Sequence, residues 1–245
     1  MEEIYLSIII PAYNEQNRIK KTLREIDDYL KKKNFSYEIL VVNDGSRDQT
    51  LNILNEMKNE IKNLKILSYE KNRGKGFAVK YGMENSQGKI RVFTDADHST
   101  SIDHLEKMLP EFEKGYDLVV GTRDKKDHPL ARQVFSQPKW RIFLGDIFNL
   151  LVQFILGLWG FWDTQCGFKG FTQRAVSLIF SKCKIEKFAF DPEILILAKK
   201  QGLKIQKIPV LWKNDPESKV KLKSVFNMLK DIFRIRIYLF LGKYG

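Results

Sequence analysis

The stretch LSIIIPAYNE (Leu6–Glu15) joins an apolar run directly to a polar tail. LSIIIP (Leu6–Pro11) is apolar almost without a break, as a strand covered on both faces would be. Ile19, Leu23, Ile26 and Leu30 follow at helical spacing. The unit then repeats. YEILVV (Tyr37–Val42) is a second strand, closed by Asn43-Asp44-Gly45-Ser46. Ser46 and Gln49 have capping-box spacing ahead of a helix carrying Leu51, Leu54, Met57 and Ile61. LKILSY (Leu64–Tyr69), a helix from about Gly76 to Asn85, KIRVFTD (Lys89–Asp95), a helix around Leu105 and Met108, and DLVVGTR (Asp117–Arg123) complete the series. This alternation predicts an α/β fold: a mostly parallel, Rossmann-like sheet with helices on both faces.

Ligands of such sheets bind beyond the carboxyl ends of the strands. Tyr13-Asn14-Glu15, Asn43-Asp44-Gly45-Ser46, Asp95-Ala96-Asp97 and Gly121-Thr122-Arg123 all sit at those ends, so four strand ends converge on one crevice. Strand one leads into Pro-Ala-Tyr-Asn-Glu rather than Gly-x-Gly-x-x-Gly, which removes the dinucleotide-binding fingerprint. Asn72-Arg73-Gly74-Lys75-Gly76 lacks Walker spacing, although glycines at a helix start beside Arg73 and Lys75 suit a phosphate as well as an ordinary turn. Asp95 and Asp97 end an apolar strand and point the same way. Two carboxylates that close repel unless a cation or donors intervene, and a hard divalent ion shared with a diphosphate would do so. Helix capping by Asp97 or Thr100 is the plainer alternative.

The 245 residues carry 42 Lys plus Arg against 30 Asp plus Glu, a net charge of +12. That charge attracts phosphates of any kind. A nucleic-acid module is disfavoured, because the basic residues are not interleaved with stacking aromatics and the strand-end carboxylates would repel a phosphate chain. Two cysteines, Cys166 and Cys183, exclude a disulfide scaffold and leave a reduced setting as the default. The N-terminal sequence has no basic region before its apolar run, so no signal peptide is expected.

Ile142–Trp162 is apolar except for Gly145, Asp146, Asn149, Gln153, Gly157 and Gly160. The last five step by three or four residues, which predicts one narrow polar stripe along a helix. Its longest uncharged run, Ile147–Trp162, falls short of the roughly 18 residues a spanning helix needs. Near the end of the chain, Leu222, Val225, Phe226, Leu229, Ile232, Phe233 and Ile237 share a face opposite Lys223, Asn227, Lys230 and Arg234. Broad apolar faces with basic flanks suit helices lying in a lipid interface; packing on the domain, or in a homo-oligomer, is the alternative.

The ordered series PAYNE, VVNDGS, NRGKG, FTDADHST and VVGTR resembles the inverting family 2 glycosyltransferases, which have the GT-A fold. Asp163-Thr164-Gln165-Cys166-Gly167-Phe168-Lys169, Phe190-Asp191-Pro192-Glu193 and Ile208-Pro209-Val210-Leu211-Trp212 resemble the dolichyl-phosphate β-glucosyltransferase branch, with dolichyl-phosphate mannose synthases as near relatives. The resemblance implies that Pro11, Tyr13, Glu15 and Asp44 frame the nucleoside of a sugar nucleotide. It puts Lys75 near the donor phosphates, Asp95 near the ribose or sugar, and Asp97 on Mg²⁺ or Mn²⁺. It puts Arg123 and Arg141 on phosphate oxygens, and Asp163, Thr164 and Gln165 at the acceptor pocket. Asn43 departs from the pattern, since the family often has a second Asp there. His98 and Ser99 stand where mannose synthases tend to have Gln, which leans toward glucose.

The implied reaction is an inverting, in-line transfer of a hexose, glucose favoured, from a nucleoside diphosphate sugar to a polyprenyl (dolichyl or undecaprenyl) phosphate. GDP-mannose as donor, or a soluble, non-lipid acceptor, is the alternative. A lipid monophosphate, with a second pKa of about 6, is already ionised and needs a cationic cradle rather than a strong base. Arg123, Arg132, Arg141 and Lys169 are candidates for that cradle; for a hydroxyl acceptor, Asp163 is the candidate base. Residues 1–125 are expected to bind the donor and 126–221 the acceptor, with the amphipathic helix 142–162. Residues 222–245 then form a basic amphipathic helix. Peripheral or monotopic attachment to an anionic membrane, on its cytoplasmic face, follows from the same reading.

Overall fold

Ile8 and Ile10 enter one hydrophobic core and Ile9 enters another, because neighbouring side chains of a strand point to opposite faces. A computed structural model describes residues 3–134, 139–213 and 222–245, the side chains of 139–144 and 222–224 excepted. Its strands are β1 (Leu6–Ala12), β2 (Tyr37–Asp44), β3 (Leu64–Tyr69), β4 (Ile90–Thr94), β5 (Leu118–Thr122), β6 (Arg132–Gln133), β7 (Phe168–Thr172), β8 (Ile205–Pro209) and β9 (Leu211–Trp212). The helices are α1 (Ile19–Leu30), α2 (Thr50–Glu60), α3 (Lys75–Asn85), α4 (Leu105–Glu113), α5 (Lys139–Leu156), α6 (Gln173–Phe180), α7 (Phe190–Lys200) and α8 (Leu222–Phe240).

Seven strands form one sheet in the order β3-β2-β1-β4-β7-β5-β8, and β6 pairs with β9 apart from it. The large sheet is parallel except for β7, which runs antiparallel between β4 and β5. The insertion of β7 carries the sheet past the boundary expected near residue 125. It also brings the segment before Phe168 alongside the end of β4, since Phe168 faces Thr94. Residues of α1, α2 and α4 close one core, and residues of α3 and α5 to α8 close the other. That is the two-sided burial expected from an unbroken apolar strand.

Two local expectations give way to tertiary contacts. No capping box forms at α2: its N-terminal flanking residue, Gln49, makes no side-chain cap. The Ser46 hydroxyl instead accepts the Asn14 N–H at 2.9 Å, and Asp48 accepts the Thr50 N–H at 3.0 Å. The helix expected over 142–162 ends at Leu156. Gly157 and Gly160 take φ values of 69° and 84°, a left-handed backbone that stops a helix. Gln153 accepts the Gly160 N–H at 3.1 Å, and Lys199 donates to the Gly157 carbonyl at 2.8 Å.

Phe148, Val152 and Leu156 of α5 join Met228, Ile232 and Ile235 of α8 in the second core. The expected apolar face of α8 therefore divides, with Ile232 inward and Phe226, Phe233 and Ile237 outward. Ile147, Leu150, Leu151 and Phe154 face outward from α5. Phe154 and Phe240 keep 74% and 87% of their surface in solvent, too much for packing within the chain to account for. Among the described residues no helix is long and apolar enough to cross a membrane.

Candidate active site

The loops after β1 and β2 are laced together by side chains that replace backbone partners. Asn14, at a φ of 54°, donates its N–H to Ser46, and its side-chain oxygen accepts the Arg47 N–H at 2.8 Å. Glu15 donates its N–H to Thr50 at 2.8 Å, and its carboxylate pairs with Arg18 at 2.6 Å. Pro11 and Tyr13 are half-buried at this rim.

Asp44 is 3% exposed. Its carboxylate accepts hydrogen bonds from the Arg73 N–H at 2.7 Å, the Gly74 N–H at 2.9 Å and the Asn72 amide at 2.8 Å. The residue expected at the nucleobase thus anchors the Asn72–Gly76 loop. On the other side, Phe77 donates its N–H to Glu186 at 3.0 Å, and Arg73 pairs with the Glu186 carboxylate. Gly74, at a φ of 110°, lies so close to this neighbour that a Cβ would sit 2.6 Å from the Glu186 carbonyl oxygen.

At the end of β4, Lys75 Nζ meets Asp95 at 2.5 Å. Burial disfavours the Lys75 charge, but Asp95 and Asp191 reverse that and raise its pKa above the ordinary value. Thr22 of α1 donates to the Ala96 carbonyl at 2.7 Å, fixing the Asp95-Ala96-Asp97 turn. A Cβ on Gly167 would lie 2.0 Å from the Asp95 carboxylate, so only glycine leaves room for it. Asp97 accepts the Ser99 N–H at 2.9 Å. Burial and the charge of Asp95 push its pKa up, so a cation beside it would relieve a real cost. No cluster of three metal-ligating side chains exists among the described residues. The Asp97 carboxylate, a hard oxygen donor beside Asp95, is of the kind that would suit Mg²⁺ or Mn²⁺.

Arg123 and Asp163, forty residues apart, form a two-pronged ion pair with contacts of 2.8 Å to Nε and 2.7 Å to Nη2. The Asp163 carboxylate also accepts the Arg123 N–H at 2.8 Å. Burial pushes Asp163 up, and Arg123 more than reverses this, leaving it below the ordinary carboxylate range. A carboxylate so held is a poor proton acceptor. Asp127, which the sequence did not single out, accepts the Trp162 and Asp163 N–H groups and pairs with Lys207 at 2.8 Å. Thr164 hydrogen-bonds Asn149 of α5 at 3.4 Å, and Gln165 reaches the Met228 sulfur of α8 at 3.9 Å.

Lys169 is not brought to the acceptor side. It is wholly buried, donating to the Cys166 carbonyl at 2.6 Å and pairing with Asp191 at 2.5 Å. Asp191 entered the sequence reading only as part of the Phe190–Glu193 motif; its ion pair with Lys169 comes from the insertion of β7. The Arg141 side chain lies outside the described residues, and Arg132 is exposed on β6. Cys166 is buried, which pushes its thiol up to about 12 and leaves it unreactive.

Residues 7–176, from β1 through the interleaved loops and strand-end carboxylates to α6, match Glycosyl transferase family 2. The chain belongs to glycosyl transferase family 2. The dolichyl-phosphate beta-glucosyltransferase of Dictyostelium discoideum is 38% identical, over 99% of this chain and 77% of that protein. Enzymes of the same name from Trichomonas vaginalis and Homo sapiens are 36% and 34% identical, over 96% and 95% of this chain and 72% and 75% of theirs. Among solved structures, mannosyl-3-phosphoglycerate synthase from Rubrobacter xylanophilus superposes with a TM-score of 0.69 at 18% identity, covering 98% of this chain and 76% of that one. Glucosyl-3-phosphoglycerate synthase from Mycobacterium tuberculosis, in complex with Mn²⁺, UDP and phosphoglyceric acid, gives 0.66 at 16% identity, over 99% and 79%. The fold of this family 2 glycosyltransferase is therefore GT-A, as its sequence led one to expect.

Proposed function

We propose that this glycosyltransferase transfers glucose, with inversion, from a nucleoside diphosphate glucose to a polyprenyl phosphate while seated on the cytoplasmic face of a membrane. One observation carries the reading. Thr164 and Gln165, beside the Arg123–Asp163 pair, touch α5 and α8, the two helices with exposed apolar outer faces. A polyprenyl chain leaves its bilayer at a cost of roughly 0.8 kcal/mol per exposed CH₂, so the enzyme must come to the lipid. The three relatives from Dictyostelium discoideum, Trichomonas vaginalis and Homo sapiens, each named dolichyl-phosphate beta-glucosyltransferase, support both sugar and acceptor.

In this mechanism Lys75 leaves its contact with Asp95 to meet the donor phosphates, and Asp95 is freed for the ribose or sugar hydroxyls. A divalent cation on Asp97 would supply positive charge where the nucleoside diphosphate departs. Pro11, Tyr13 and Glu15 border the nucleoside, with Asp44 holding the Lys75 loop in place. Arg123 is a fixed cation for the acceptor phosphate, aimed by Asp163. The acceptor oxygen is already ionised near pH 7, so the reaction dispenses with a strong base, in keeping with the commitment of Asp163 to Arg123.

The test is a transfer assay offering radiolabelled UDP-glucose and GDP-mannose in parallel with polyprenyl phosphate and Mg²⁺ or Mn²⁺. Organic-extractable label from UDP-glucose, lost on adding EDTA, is the expected result. Label from GDP-mannose alone would overturn the sugar, and label only in water-soluble product would overturn the lipid acceptor.

A further inference from the structure

The segment after α8 ends far in sequence from the donor loop, yet a short series of contacts joins them. Gly242, at a φ of 65°, turns the chain back, and Tyr244 enters the second core with 2% of its surface exposed. Its hydroxyl donates to Glu193 at 2.7 Å. Glu193 is wholly buried on α7, and its two oxygens also accept the Lys184 N–H at 2.9 Å and the Ile185 N–H at 3.0 Å. Those two residues begin the loop that presses on the donor side. A Cβ on Gly76 would fall 2.6 Å from the Ile185 carbonyl oxygen, and Glu186 holds both Arg73 and the Phe77 N–H. Between Gly74 and Phe77 stands Lys75, on Asp95.

A buried carboxylate that accepts three hydrogen bonds fixes its partners tightly. A helix-start position alone would explain an acidic residue, but not its full burial or this set of donors. We propose that Tyr244 and Glu193 are positioning residues for the donor: through the 184–186 loop they hold the Arg73–Phe77 turn so that Lys75 stands at the donor phosphates. The inference rests on the reading of Lys75 given above. Asp44 grips the same turn from the opposite side, so Lys75 is held in a two-sided clamp. Of the residues that form the two jaws, Tyr244 lies outside the family-like motifs.

Tyr244→Phe deletes the hydroxyl and keeps the ring, so the core stays filled. Glu193→Gln leaves one backbone N–H facing an amide N–H₂ and is the stronger lesion. UDP-glucose binding is measured by calorimetry at a temperature well below each variant's Tm. Transfer kinetics to polyprenyl phosphate are measured in parallel. Tyr244→Phe is expected to weaken UDP-glucose binding about fivefold, Glu193→Gln more, with the KM for the lipid unchanged. Variants with a lowered Tm but wild-type UDP-glucose affinity would make the contact a matter of stability only, and overturn the proposal. A wild-type protein that binds no UDP-glucose would instead overturn the donor reading on which it rests.

Discussion

The donor rim and the α5–α8 face are held together by different forces. At the rim, order comes from discrete polar contacts: Asn14 with Ser46, Glu15 with Thr50, and Asp44 with the backbone of residues 73 and 74. At the α5–α8 face, order comes from apolar packing of Phe148, Val152, Met228 and Ile232, while large apolar side chains such as Leu150, Phe154, Phe226, Phe233 and Phe240 look outward. Hydrogen bonds fix position to fractions of an ångström, as the proposed in-line transfer requires. Hydrophobic contact is non-directional, which suits the contact with fluid lipid proposed for this surface. The Asp163–Gln165 segment is where the two regimes join.

The comparison breaks most visibly at the rim. Asp97→Ala is expected to lower the transfer rate by on the order of 10³-fold or more, with far-UV circular dichroism unchanged, because it removes the carboxylate proposed to hold the divalent cation. Near-normal turnover would remove Asp97 from the site. Gly167→Ala drives a methyl group into Asp95. About 1–3 kcal/mol of overpacking strain is expected in chemical denaturation, together with a rise in the KM for UDP-glucose at least tenfold; an unchanged KM would show that Asp95 can move without consequence.

At the other region the effect is confined to lipid. Phe233→Asp with Phe240→Asp removes two exposed apolar anchors, each contributing roughly 1.5–3 kcal/mol when buried. Flotation with anionic vesicles is expected to fall by tens of fold or more, while UDP-glucose binding in solution stays as it was. Equal losses in both measurements would mean that the two regions are not separable.

The smallest effect is in acid. Asp163, held below its ordinary value of 3.8, binds a proton less readily in the folded than in the unfolded chain. Its stabilisation is fully present above pH 3.8 and lost as the pH falls through the lower folded value. Asp163→Asn should destabilise the protein at pH 7 and flatten this part of the acid limb of the unfolding curve. An identical acid limb in both proteins would dissociate Asp163 from it.

How much of this was legible depended on how local the cause was. The five early strands and their helices could be read from spacing, because burial on two faces writes itself as an unbroken apolar run. So could the gathering of Tyr13, Asp44 and Asp95 at one edge, where the proposed site lies, since parallel strands deliver their ends together. The length of α5 could not: the apolar pattern runs on through Trp162, and only the left-handed Gly157 and the contacts of Lys199 and Gln153 stop the helix at Leu156. Ser46 looked like a helix cap, but Asn14 on a neighbouring loop claims its hydroxyl. Lys169 looked like an acceptor cation and is instead sealed in the sheet against Asp191.

The sequence by itself determined the class of fold, and which polar residues gather at the carboxyl ends of the strands, because each follows from the order and polarity of neighbouring residues. Only the tertiary structure decided which charged and polar groups pair with one another inside the fold. That choice hangs on the antiparallel insertion of β7 and on pairs such as Arg123 with Asp163 and Glu193 with Tyr244. Their partners lie tens of residues apart, and no local pattern encodes which distant donor and acceptor will meet.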